Sequence, residues 1–186
     1  MKKLPEILTQ DEIQKLLDTP NQRYRTGKTQ YLIMRVSLET GMRISELINL
    51  KREHINFLTG QTRIENGKGG KDRITFLTKE TRNLILSYWE TIGESDYCFS
   101  NLSGGQLQSS NLRRTIKKLG NKCGVERVHW HLLRHTALTN YYTQTKDIRL
   151  VQEIAGHSSI QTTQIYSHIS GENIKETLLN SMVIGG

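Results

Sequence analysis

The chain has 186 residues, enough for one ordinary domain that buries roughly 70% of the surface its unfolded form exposes. Hydrophobic residues make up 35%, and no apolar run approaches the ~20 residues that a helical membrane span needs. The 26 basic residues outnumber the 18 acidic ones, and the net charge of +8 points weakly to a polyanionic partner such as nucleic acid.

Met1-Lys2-Lys3 runs straight into Leu4-Pro5-Glu6, without the apolar stretch of a signal peptide. The two cysteines, Cys98 and Cys123, form neither a disulfide framework nor a metal-binding spacing. A reducing, cytoplasmic location is therefore expected. The basic residues cluster. Arg23, Arg25 and Lys28 form one group, and Lys68, Lys71 and Arg73 a second. Arg113, Arg114, Lys117, Lys118, Lys122 and Arg127 form a third, largely at helical spacing. Such a face is either simply solvated or touches phosphates.

Thr9-Gln10-Asp11-Glu12 reads as a capping box, opening a short helix that carries Ile13, Leu16 and Leu17 and stops before Pro20. Tyr31, Met34 and Leu38 recur at helical spacing up to Gly41, a C-terminal cap. Ile44, Leu47 and Ile48 mark the next helix. The period then shortens to two. Ile55 and Phe57, then Arg63-Ile64-Glu65, then Arg73-Ile74-Thr75-Phe76 alternate, separated by Thr59-Gly60 and by Asn66-Gly67-Lys68-Gly69-Gly70. This predicts a small three-stranded antiparallel sheet.

Thr78 caps a helix carrying Leu84, Ile85, Tyr88 and Trp89, and a polar stretch, 101–110, leads to the basic helix at 111–122. Leu133, Ala137 and Tyr141 space as a helix, as do Ile148, Val151, Ile154 and Ala155, ending at Gly156. Ser158-Ser159-Ile160-Gln161 is a second capping box, ahead of Tyr166. Ile174, Leu178 and Met182 predict a last amphipathic helix. The expected fold is mainly α with one small sheet.

Four segments carry the chemistry. They are Thr40-Gly41-Met42-Arg43-Ile44-Ser45-Glu46-Leu47, Gly67-Lys68-Gly69-Gly70-Lys71-Asp72-Arg73, His131-Leu132-Leu133-Arg134-His135, and Gly156-His157 through Gln164-Ile165-Tyr166. Each alone is common. In this order, over about residues 5 to 170, they resemble the tyrosine recombinase (phage integrase) family in its Xer-like branch. That resemblance implies the family's catalytic-domain fold and its catalytic set of Arg43, Lys68, His131, Arg134, His157 and Tyr166.

The residue types suit phosphoryl transfer. Charge accumulates on the nonbridging oxygens of a phosphodiester under attack, and planar, always-ionised guanidinium forks match it. Donors placed beforehand are worth on the order of 3 kcal/mol each. The resemblance assigns Arg43 and Arg134 to the scissile phosphate, with His157 as a further donor to it. Tyr166 is then the nucleophile. A free tyrosine titrates near pH ~10 and needs a base, for which His131 is the candidate. The leaving 5′-oxygen needs a proton, and Lys68 matches the family's general acid, with Lys71 as its rival. Arg134 follows His131 by three residues, so both project from one helix face. Glu46 shares a face with Arg43 and orients the site rather than reacting.

Plainer readings stand beside these. Arg43 also suits a helix-start arginine paired with Glu46, and Tyr166, flanked by Ile165 and Ile169, suits a core tyrosine. His129, His131 and His135 lack acidic or cysteine ligands nearby in sequence, so no metal site is expected. Tyr141, Tyr142, Trp89 and Trp130 read as packing residues.

The implied function is site-specific DNA recombination through a 3′-phosphotyrosine, with no metal or nucleotide cofactor. Its partner is double-stranded DNA. A homodimer would bind each site, and a tetramer would form in synapsis. The alternatives are type IB topoisomerase-like relaxation and a non-catalytic DNA-binding regulator on the same fold. Residues 1–170 form the expected catalytic domain. Residues 171–186 form a helical tail that folds onto its own core or, in the family reading, docks into a neighbouring protomer. The family's N-terminal DNA-gripping domain is not found, as in a cut piece of a longer protein or a naturally short member; Met1 favours the second.

Overall fold

A computed structural model describes residues 6–65 and 72–156. Helix α1 (Gln10–Asp18) has the expected capping box. The Glu12 N–H donates to Thr9 Oγ1 at 3.2 Å, and the Thr9 N–H to Glu12 Oε2 at 2.8 Å. Its buried stripe is Ile13, Leu16 and Leu17. Helix α2 (Arg25–Thr40) is buried along most of its length and runs through the centre, against α4 (Lys79–Ile92) and α6 (Trp130–Thr145). It ends where Gly41 turns left-handed at φ +62° and donates its N–H back to Ser37 at 3.0 Å.

Helix α2 is buried all round over its C-terminal half, and its buried charged residues, Arg35 and Glu39, are paired there. The Arg35 guanidinium, 2% exposed, donates to Thr81 at 2.7 Å and to Glu80 at 2.7 Å. Beside it, burial pushes the Glu39 carboxyl up, against the opposing pull of Thr81 and Arg35. Tyr141 of α6 donates its hydroxyl to the Glu39 carbonyl, tying the two central helices.

The three-stranded sheet expected from the alternation is corrected. Among the described residues the sheet has two antiparallel strands, β1 (Gln61–Ile64) and β2 (Arg73–Phe76), with Gln61 opposite Phe76 and Ile64 opposite Arg73. The segment expected as a first strand makes a single bridge, Ile55 to Thr62. It cannot extend because Arg52–His54 coil into a 3-10 turn and Asn56 closes the next one. The Asn56 side chain accepts from the Leu58 and Thr59 N–H groups at 3.0 and 3.1 Å, which local Asx bonding favours over a ladder.

Helix α3 (Ile44–Asn49) follows Gly41 closely, and α5 (Ser109–Cys123) buries Leu112, Ile116 and Leu119 beneath an exposed basic face. The last described element, α7 (Ile148–Ala155), is capped by Asp147, whose side chain accepts from Arg149 and Leu150 N–H at 2.8 and 3.1 Å. Val151, Ile154 and Ala155 press it onto Leu138, Tyr141 and Tyr142 of α6. Burying Val151 and Ile154 contributes about 1.5–3 kcal/mol each. That contact fixes the end of α7 over the start of α3. Lys68, Lys71, His157, Tyr166, the capping box at 158–161 and the tail at 171–186 lie outside the described residues.

Candidate active site

Arg43 is the N-cap residue of α3, placed there by the left-handed turn at Gly41. Arg134 lies on the second turn of α6 and is 5% exposed. The two meet at the C-terminal end of α7. Arg134 Nη2 donates to the Ala155 carbonyl at 2.7 Å, and its Nη1 donates to the Gly41 carbonyl. Arg43 Nη2 reaches the Gly156 carbonyl at 3.5 Å. A third guanidinium joins them, since Arg73 Nε donates to the Ile154 carbonyl at 2.8 Å. Three consecutive carbonyls at a helix C-terminus thus each receive a different arginine. Those carbonyls have no partner within the helix and carry the negative end of its dipole, so cations belong there.

Glu46 binds this cluster from the other side. Arg73 forms a bidentate pair with it, Nη1 to Oε1 and Nη2 to Oε2, each at 2.7 Å. Arg43 adds its side-chain Nη1 at 2.9 Å and its backbone N–H at 2.6 Å. Burial alone would raise the Glu46 carboxyl, but the Arg73 fork and then Arg43 hold it below the ordinary carboxylate range. Three guanidiniums against one carboxylate leave two net positive charges on these four side chains. The plainer sequence reading of Arg43 describes its local contacts. It is a helix-start arginine paired with Glu46, and its side chain is also 21% exposed.

The sign of the Glu46 shift makes a prediction. A carboxyl whose folded pKa is depressed adds stability that is full above the unfolded value, about 4.3, and is lost as pH falls through the lower folded value. Glu46→Gln should lose about 3 kcal/mol at pH 7, because it leaves buried arginines without their counter-charge. Its stability should also fall less steeply than wild type between about pH 5 and 3. Urea unfolding across that range checks this. Glu39 shifts the opposite way but is common to both proteins, so parallel acid limbs would contradict the Glu46 assignment.

His131 lies in the first turn of α6 and is exposed, whereas Arg134, three residues on, turns inward. His135 stacks one turn below at 6.4 Å between ring centroids, the shared face expected from their spacing. Burial first, then neighbouring His131 and Arg134, hold His135 below the ordinary histidine range. His129 caps α6, its Nδ1 accepting the Leu132 N–H at 3.1 Å, which needs an unprotonated ring. Burial, His131 and Lys117 all push it that way. No group of three metal-ligating side chains occurs among the described residues.

The basic groups divide. Arg113, Arg114, Lys117, Lys118 and Lys122 are exposed on α5. Arg127 is instead fastened to Glu6 and Glu12 at 2.7 Å each, and Arg25 holds the loop carbonyls of Asn101 and Leu102 at 2.6 and 3.2 Å. Arg73 is inside the site. Sequence spacing grouped it with Lys68 and Lys71 and missed this placement; no sequence signal marked it, because the apolar residues that alternate with it, Ile74 and Phe76, point to the other face as the inward one.

The sequence model of the phage integrase family matches residues 6–173. The chain belongs to the phage integrase family. Within it the chain is Xer-like. It is 36% identical to tyrosine recombinase XerD of Staphylococcus aureus, over 94% of this chain and 62% of that protein. The crystal structure of XerA recombinase superposes with a TM-score of 0.78 at 32% identity, over 98% of this chain and 65% of that one. The XerH site-specific recombinase, solved on its difH substrate in a pre-cleavage complex, gives 0.75 at 30% identity, over 90% of this chain and 51% of that one. This phage integrase family member thus spans about 62% of the length of the XerD relatives it matches. No helix among the described residues is long and apolar enough to cross a membrane.

Proposed function

We propose that the chain is the catalytic domain of a site-specific DNA recombinase that breaks and rejoins strands through Tyr166. The observation that carries this reading is the convergence of Arg43 and Arg134 on the end of α7, one residue before His157, in a chain similar to XerD and XerH. The arginine pair binds the scissile phosphate and neutralises the charge that grows on its nonbridging oxygens. Tyr166 Oη attacks phosphorus and passes its proton to His131. The bond to the 5′-oxygen breaks, and Lys68 supplies the proton that this oxygen takes up. His157 adds a hydrogen bond to the phosphate. The product is a 3′-phosphotyrosine and a free 5′-hydroxyl. Resealing needs no ATP, because the new ester keeps the energy of the broken link, and a partner strand's 5′-hydroxyl reverses the step.

Double-stranded DNA is the partner, held in part by the exposed lysines and arginines of α5. Two protomers occupy one site, and two occupied sites pair as a tetramer. The protein works in the cytoplasm, and residues 171–186 dock into the neighbouring protomer.

Strand exchange between two differently labelled duplexes tests this function. The duplexes are chosen by the chain itself from a random library. Joined products carrying both labels are expected. Relaxation of supercoiled plasmid without any joined product would overturn the reading in favour of a topoisomerase, and binding with neither reaction in favour of a regulator.

A further inference from the structure

We infer that Arg73 is a positioning residue of the active site, braced between Glu46 and the end of α7, and not a DNA-contacting one; this rests on the recombinase reading above. Arg73 begins β2, opposite Ile64, so the pleat turns its side chain toward the core, where it is 8% exposed. Its fork spans both oxygens of Glu46 at 2.7 Å, and its Nε reaches the Ile154 carbonyl at 2.8 Å. One planar group thereby links β2, α3 and α7. The end of α7 also closes over it. Gly156 is left-handed at φ +60°, and a Cβ there would lie 3.1 Å from Arg73 Cδ and 3.1 Å from its Nη1. A glycine makes this left-handed close approach without strain before the chain continues to His157.

The consequence is mechanical. Glu46 orients Arg43 by two hydrogen bonds, and Arg73 fixes Glu46 by two more. Without Arg73 the Glu46 carboxylate has freedom to swing, and Arg43 swings with it. A displacement of about 1 Å at a phosphate-binding group costs on the order of 100-fold in rate. A lysine retains the charge but not the fork, so it cannot hold Glu46 and Ile154 together. Arg73 makes these contacts as a buried group, and its removal takes away none of the exposed basic side chains of α5.

Single-turnover cleavage at saturating DNA, with wild type, Arg73→Ala, Arg73→Lys, Arg43→Ala and the Arg43→Ala/Arg73→Ala double variant, tests this. Arg73→Ala should cleave on the order of 10- to 100-fold more slowly. Arg73→Lys should show a smaller loss of about 10-fold, which keeps the test alive if the alanine variant does not fold. The double variant should be no slower than Arg43→Ala alone, because Arg73 acts through Arg43; loss of general stability would instead multiply. The slope of log affinity against log salt should match wild type. A slope shallower by about 0.9 would mean a phosphate contact and overturn the inference. So would a cleavage rate for both Arg73 variants within about threefold of wild type, or multiplicative losses in the double variant. Absence of cleavage by wild type itself would instead sink the recombinase reading, and the inference with it.

Discussion

Replacing Arg134 with alanine should lower the single-turnover rate of DNA cleavage by on the order of 1000-fold, the loss seen when a preorganised charge-stabilising donor is removed. The guanidinium is rigid before DNA arrives. It is 5% exposed and fastened to the carbonyls of Gly41 and Ala155, so no reorganisation is needed as charge develops on the phosphate. Its removal also leaves those two buried carbonyls short of a donor, at about 1–3 kcal/mol each. Stability and chemistry must therefore be separated. Arg134→Lys retains the charge and can reach one carbonyl but not both, so it should recover most of the stability and little of the rate. Urea unfolding and cleavage kinetics on the same preparations check this. Cleavage by Arg134→Ala within about tenfold of wild type would remove Arg134 from the reacting phosphate.

The arginine cluster also shows how far the sequence could be read. Arg43 and Arg134 were singled out by the motif order that resembles the family, and Glu46 by its spacing from Arg43. Short-range rules then place Arg43, since a glycine ends α2 and a capping position follows. Their common anchor was not legible. Backbone carbonyls of Ile154, Ala155 and Gly156 leave no residue-type signature, and contacts across 21 to 113 positions follow from packing, not pattern.

The sheet shows the same limit. Alternation over Arg73-Ile74-Thr75-Phe76 marked a strand, but hydrophobicity would turn Ile74 and Phe76 inward. They are the exposed pair, at 48% and 43%, while Arg73 and Thr75 face the core. Register decides this, because shifting a strand by one residue exchanges its faces. Here the buried bidentate pair with Glu46 goes with the polar-inward register. Charge counting overstated the exposed basic surface for a related reason. Arg25, Arg73 and Arg127 spend their donors on loop carbonyls, Ile154 and Glu46, or Glu6 and Glu12, and composition does not separate such residues from the exposed ones on α5.

Tyr166→Phe carries the largest expected effect, complete loss of covalent chemistry from the deletion of one oxygen. The ring still fills the same volume, and the nonreacting donors Arg43 and Arg134 are untouched, so DNA affinity and melting temperature should stay close to wild type. The deciding measurement is covalent capture on nicked duplexes, chosen by the chain's own binding, whose short cleaved fragment diffuses away and traps the intermediate. Wild type and Tyr166→Phe are run side by side. An SDS-stable, protease-sensitive protein–DNA adduct from wild type alone, with phosphate mapped to Tyr166, is the predicted result. An adduct of equal yield from Tyr166→Phe, or DNA binding by wild type with no adduct at all, would contradict it.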